Sequence, residues 1–268
     1  MSEKTPFKIN FALRDINDIV PFGENRDHLS WFALTDSDLW ITAGEHTIYE
    51  YSDAARKFWD CDVRYNDYQL SRFLEDFSRI FGSIAESVPE EFYDIVEEFP
   101  SLADKWQELH MDDDDDAFDK WYFEDEYIPL TEWFSCREFD SGHLIGGPNI
   151  GFFRFGGKIK IWWYSDHKLK NGESIWTSPR GILELPYVDF VSEVERFFNE
   201  FFEKMDMQVE RSLKKDWGKV ALDKKRLAEE NKERREGFKQ KISLLKKAPK
   251  ITDWEKKISL YKKMCKEL

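Results

Sequence analysis

IGFFRFGGKIKIWWY, residues 150–164, decides the fold class of this chain. Two apolar runs rich in β-branched and aromatic residues flank Gly156-Gly157, a dipeptide that supplies the backbone angles of a tight hairpin turn. The stretch therefore reads as two antiparallel strands, Ile150 to Phe155 and Lys158 to Tyr164. Trp162 and Trp163 are adjacent and point to opposite faces. One is expected in the core and the other under a helix or at the surface.

Working downstream, Glu173 to Trp176 and Gly181 to Leu185 read as two further strands, and Pro186 ends the sheet. From Val188 the pattern turns helical, with Phe190, Val191, Val194, Phe197, Phe198, Phe201, Phe202 and Met205 on a broad apolar face. The stripe then narrows through Val209, Leu213, Trp217 and Val220. A final segment places Ile251, Trp254, Ile258, Tyr261 and Cys265 at alternating spacings of three and four, a coiled-coil seam. Ala248-Pro249-Lys250 separates it from Phe238, Ile242 and Leu245, which predicts an antiparallel helical hairpin there.

Upstream, His143-Leu144-Ile145 reads as a strand before the turn at Gly146-Gly147-Pro148. The middle of the chain is helical and acidic. Helices are expected over Pro89–Glu98 and Ser101–His110, and a longer one over Asp67–Glu86 with Leu70, Phe73, Leu74, Phe77, Ile80, Phe81 and Ile84 on one face. Ser52 or Asp53 caps a short helix through Trp59. Lys8 to Arg14 is a first strand, and Ser30 to Tyr51 holds a meander of Trp31–Thr35, Leu39–Thr42 and Thr47–Tyr51. The fold class expected is α+β: an antiparallel, aromatic-rich sheet covered by helices, with a C-terminal helical hairpin extension.

The 268 residues carry a formal charge of −14 and an aromatic share of 16% that can hold a core with few residues. That net charge conceals a division. Residues 1–205 hold 20 Lys/Arg against 43 Asp/Glu, and residues 206–268 hold 20 against 11, so an acidic α+β domain (1–205) precedes a basic helical extension (206–268). The N-terminus lacks the apolar run of a signal peptide and no stretch has the length of a membrane span, so a cytoplasmic protein is expected, with no membrane partner. Cys61, Cys136 and Cys265 follow no metal or disulfide pattern and read as reduced thiols.

Catalytic signatures are absent: no phosphate-binding loop, no nucleophile elbow, no HExxH and no kinase or deaminase set. No catalytic residue, metal or cofactor is assigned. Gly146 to Gly151 leads into a strand, whereas a dinucleotide fingerprint needs a helix N-terminus at that point. The lysine pairs of the tail would favour phosphates, but the charge of the body repels a polyanion, which disfavours nucleic acid. Asp112, Asp113, Asp114, Asp115 and Asp116 read as a solvated loop or a docking surface for a basic partner, and lack the alternating ligands and turn glycine of a calcium loop. Trp254 and Tyr261 are the candidate partner contacts on the terminal helix. Trp40, His143, Trp162 and Trp176 are the candidate lining of a ligand pocket between the sheet and its helices.

FALR at residues 11–14, WFALTD at 31–36 with Trp40 following, Tyr49 to Ser52, DSGHL at 140–144 with Gly147-Pro148, the hairpin through Trp162, and WTSP at 176–179 form an ordered set. In this set the chain resembles an uncharacterised family of bacterial cytosolic proteins of unknown function, over residues 8–210. The resemblance implies a single-domain protein associated with toxin or defence loci, and it transfers no catalytic residue. The functional expectation is an intracellular protein-binding protein, immunity- or antitoxin-like, that masks a basic effector through an acidic surface. Two alternatives stand beside it. One is an enzyme or small-ligand-binding protein with the pocket named above, and the other is a homodimer built through residues 206–268.

Overall fold

Strand β1 (Phe7–Leu13) turns Phe7, Ile9 and Phe11 inward in strict alternation, and it pairs antiparallel with β2 (Asp36–Ala43), where Ser37, Leu39, Ile41 and Ala43 alternate the same way. The computed structural model describes residues 6–110 and 122–268. β3 (His46–Ile48) and β4 (Asn66–Gln69) both pair with β2, at its two ends. A second antiparallel sheet runs in the order β5 (Glu138–Phe139), β6 (Asn149–Phe155), β7 (Lys158–Tyr164), β8 (Arg180–Pro186). The β6–β7 hairpin turns at Gly156-Gly157, as its sequence requires, and pairs Phe155 with Lys158.

Nine α-helices cover these sheets among the described residues: α1 (Asp53–Trp59), α2 (Leu70–Arg79), α3 (Phe81–Ala85), α4 (Glu90–Asp94), α5 (Phe99–Leu109), α6 (Ile128–Ser135), α7 (Tyr187–Lys214), α8 (Lys224–Leu245) and α9 (Trp254–Glu267). Helix α7 links the two sheets. Its Phe190 ring lies 5.8 Å from Phe7 of β1 and 5.6 Å from Phe152 of β6, and its Phe197 meets Phe11 edge-on. Each such ring, fully buried, contributes roughly 1.5–3 kcal/mol. A second core lies on the other side of β6 and β7, where Phe153 meets Trp133 and Phe134 of α6, which in turn meet Phe92 of α4 and Phe99 of α5. None of the described helices is long and apolar enough to cross a membrane.

The α+β class, the antiparallel pairing and the aromatic core are as expected, but the strands divide into two sheets. Four local readings change. Trp31–Thr35 is not a strand: the Thr35 amide returns to the Phe32 carbonyl at 3.0 Å to close a 3-10 turn, and Trp31 is buried with its indole donating to Asn231 Oδ1 at 2.9 Å. Residues 66–69 add a strand to β2 instead of opening a helix, because the edge of β2 at Asp36–Leu39 supplies backbone partners. His143–Ile145 lies in tight turns, with Leu144 N donating to Ser141 O and Ile145 at a φ of 54°. Residues 173–176 make isolated bridges only, Ser174 to Lys168 and Trp176 to Tyr51.

The C-terminal helical hairpin is formed one loop earlier than expected. α7 and α8 are its antiparallel arms, tied at one end by Asn231 Nδ2 donating to Asp206 and at the other by Tyr187 Oη donating to the Leu245 carbonyl at 2.7 Å. After residues 248–250 the chain crosses to α6 instead of returning along α8. Position 205, where the charge changes sign, falls inside α7, and Val209, Leu227, Phe238 and Leu245 belong to the same core as β1.

The cations of the basic segment face the chain's own carboxylates. Arg234 pairs with Glu75 at 2.6 Å, Lys257 with Glu132 at 3.0 Å and Lys263 with Glu126. Solvent-accessible pairs such as Lys263–Glu126 contribute about 0–1 kcal/mol each, whereas the Lys257 ammonium is buried and donates to the Pro129 carbonyl as well. The Glu86 carboxylate is buried and does more. It accepts from Arg137 Nη2 at 2.7 Å, from the backbone of Ile251 and Thr252 at 2.8 and 2.9 Å, and from the Thr252 hydroxyl. Burial by itself would raise its pKa, but the Thr252 and Ile251 hydrogen bonds and the Arg137 charge outweigh that and hold it below the ordinary value. The carboxylate of residue 86 thus anchors the segment leading into α9.

Candidate functional site

Alternation along β7 builds an aromatic-walled cleft. Ile159, Ile161 and Trp163 enter the first core, so Lys160, Trp162 and Tyr164 stand on the opposite face. Trp162 lies edge-on to Phe134 of α6 at 5.4 Å and parallel to Tyr164, 6.0 Å away with 11° between the planes. The α5 segment faces them with Glu97, Pro100, Ser101 and Asp104. β8 contributes Arg180, Gly181 and Ile182. Gly181 is needed there because a Cβ would come within 2.2 Å of the Trp163 ring.

The cleft consists of two adjoining hollows of about 450 and 270 Å³ that share Pro100, Asp104, Trp162 and Tyr164. The smaller hollow adds Tyr127, Thr131, Phe134, Ser135, Glu138 and Asn149. Their combined size is in the range of small-molecule sites.

Two carboxyls here are perturbed. Burial pushes Glu138 up to about 7, with the Asn149 hydrogen bond opposing the rise and Asp140 adding to it. Asn149 Nδ2 donates to Glu138 Oε1 at 2.6 Å, while Asn149 Oδ1 accepts from Ser141 N at 2.9 Å, which fixes the amide's orientation. Burial also raises Asp104, with Glu108 reinforcing it, and burial followed by the Asp104 charge raises the Tyr127 phenol. Shifted carboxyls inside a cleft mark a place where a ligand or a proton transfer can use them.

Of the four residues expected to line a pocket, Trp162 does so. Trp40 is stacked on Tyr65 at 4.3 Å on the first sheet, and Trp176 is buried and stacked on Tyr51 at 4.8 Å. His143 is exposed in the turn after Asp140. The first three tryptophans are therefore not brought together, because the strands that carry them lie in different sheets or in no sheet. Trp254 and Tyr261 each lie 5.5 Å from Phe92, and the Arg137 guanidinium stands over the Trp254 ring at 5.3 Å, so these rings complete the second core of this chain. Asp112 to Asp116 lie outside the described residues.

Tyr164 was within reach of sequence reasoning, since it shares the face of Trp162 two residues on. Asp104, Glu138 and Arg180 were not: carboxylates are so frequent in this chain that none stands out. Among the described residues no group of three or more His, Cys, Asp or Glu side chains is placed to hold a metal ion.

Neither a curated protein nor a solved structure matches the chain. One family model does, over residues 8–259, and its span takes in α8 and the first turns of α9, beyond the 8–210 of the sequence resemblance. The ordered motifs, the fold they build and this match agree: the chain belongs to a family of unknown function, DUF5984.

Proposed function

We propose that this protein binds a small organic ligand in the cleft between β7, α5 and α6. The observation that carries this reading is the convergence of two parallel aromatic faces, Trp162 and Tyr164, with two perturbed carboxyls, Asp104 and Glu138, in one cleft whose two hollows together have small-molecule size. Aromatic planes supply contact area at low conformational cost, and the half-buried Glu138 carboxyl with the exposed Asp104 supplies orientation. The fold also gives the walls different elements, so the cleft is held from three sides.

Screening ring compounds by ligand-observed NMR tests the reading directly. Binders are expected whose signals broaden with the native protein and recover with Trp162→Ala, with circular dichroism confirming that the variant is folded. A screen without binders, or binders indifferent to Trp162→Ala, sinks the proposal.

A second reading has its own support. The chain remains at −14 after its basic helices have engaged its own carboxylates, so the excess charge on its surface is acidic. Such a surface favours association with a basic protein, as an immunity-like masking role requires. The discriminating measurement is capture of a basic partner at low salt that is released at about 0.5 M salt, where the screening length falls below 5 Å. A partner retained at high salt would contradict it.

A further inference from the structure

We propose that the ligand of the cleft is an organic cation carrying a planar ring, an arylalkylammonium or arylamidinium type of compound. The inference rests on the small-ligand reading above and names its substrate class.

Charge accounting along the walls supports it. Glu97, Asp104 and Glu138 face the cleft against one cation, Arg180. Among the described residues the two buried carboxylates each have a cation, Arg137 for Glu86 and Arg196 for Glu193. Glu138 of the cleft is half-buried and has the Asn149 amide as its hydrogen-bond partner and no cation. Glu97 and Asp104 beside it are exposed and likewise make no ion pair among the described residues. A carboxylate taken partly out of water without a counter-charge is costly, and a bound cation is the ligand that removes the cost.

The aromatic wall fits the same ligand. Indole and phenol faces attract cations through their ring quadrupoles, and Trp is the strongest of the side chains in this respect. Arg180 already shows the arrangement, its guanidinium carbon standing 5.5 Å from the centre of the Tyr164 ring. The ring of a ligand would lie along Trp162, and its cationic end would reach Asp104 or Glu138. Arg180 on the same cleft repels a second cation, so removing its charge should tighten binding; for an anionic ligand the same change would weaken it.

The experiment compares phenethylammonium and benzamidinium with their neutral counterparts 2-phenylethanol and benzamide, and with benzoate, by titration of the full chain. The cations are expected to bind on the order of tenfold more tightly than the neutral compounds at pH 8 and low salt. Asp104→Asn and Glu138→Gln should each weaken the cations about three- to tenfold and leave the neutral compounds unchanged, and Arg180→Gln should strengthen the cations. The comparison among ligands on the unmodified protein needs no variant to fold. Neutral compounds or benzoate binding as tightly as the cations would overturn the cation assignment while leaving the cleft a binding site. If no compound of any charge binds, both the assignment and the small-ligand reading fail.

Discussion

Replacing Glu138 by glutamine keeps an oxygen for the Asn149 amide to donate to and removes the ability to ionise. In the folded chain the carboxyl sits at about 7, chiefly because it is buried, against an ordinary 4.5. A carboxyl raised in the folded state contributes its full stability below the unfolded value, and that contribution is lost as the pH rises through the folded value. At about 1.4 kcal/mol per pH unit the interval corresponds to roughly 3.4 kcal/mol if nothing screened it. One side of Glu138 borders the open cleft, and solvent there reduces the figure to about 1–2 kcal/mol. The expected outcome is that Glu138→Gln and the native protein are close in stability at pH 5, and that the variant is the more stable by ~1–2 kcal/mol at pH 8. Urea denaturation at both pH values measures it. Glu45→Gln, in the exposed turn between β2 and β3, controls for the general relief of negative charge. A gap between Glu138→Gln and native that is the same at pH 5 and pH 8, or no larger than that of Glu45→Gln, would refute the buried-carboxyl argument.

Three further outcomes follow from the packing. Glu86→Gln leaves Arg137 without its buried counter-charge and loosens Thr252, so a loss of about 3–5 kcal/mol is expected in urea titration, and it should diminish as acid protonates Glu86 in the native chain. Gly181→Ala forces a methyl against the Trp163 ring and should cost at least ~1–3 kcal/mol, read as a lower thermal midpoint together with a changed Trp near-ultraviolet signal. Trp31→Phe keeps most of the buried ring and strands Asn231 Oδ1, so a loss of about 1–3 kcal/mol is expected, whereas Asn231→Leu combined with Trp31→Phe should recover part of it in a double-mutant cycle.

Local chemistry was enough for much of this molecule. Alternation in residues 7–13, the Gly156-Gly157 turn with its flanking strands, the Ser52 cap and the phenylalanine face from Phe190 to Phe202 each appear where periodicity puts them. These are features whose cause lies within a few residues: a pleat, a turn, a capped N-terminus, a 3.6-residue stripe. Readings failed where a distant partner supplied the hydrogen bond. Asn66–Gln69 is extended because β2 has a free edge, and Trp31 turns inward toward Asn231, 200 positions away.

The sequence by itself determined the α+β class, the antiparallel hairpin and the opposed charges of body and tail. Only the tertiary structure decided where those charges go: the tail's Arg234, Lys257 and Lys263 meet Glu75, Glu132 and Glu126 of the body, and among the described residues Glu97, Asp104 and Glu138 of the cleft have no cation of their own. Net charge is a sum over residues and can be read along the chain. Which carboxylates lose water, and which gain a counter-ion, depends on distances between elements that the order of residues does not contain.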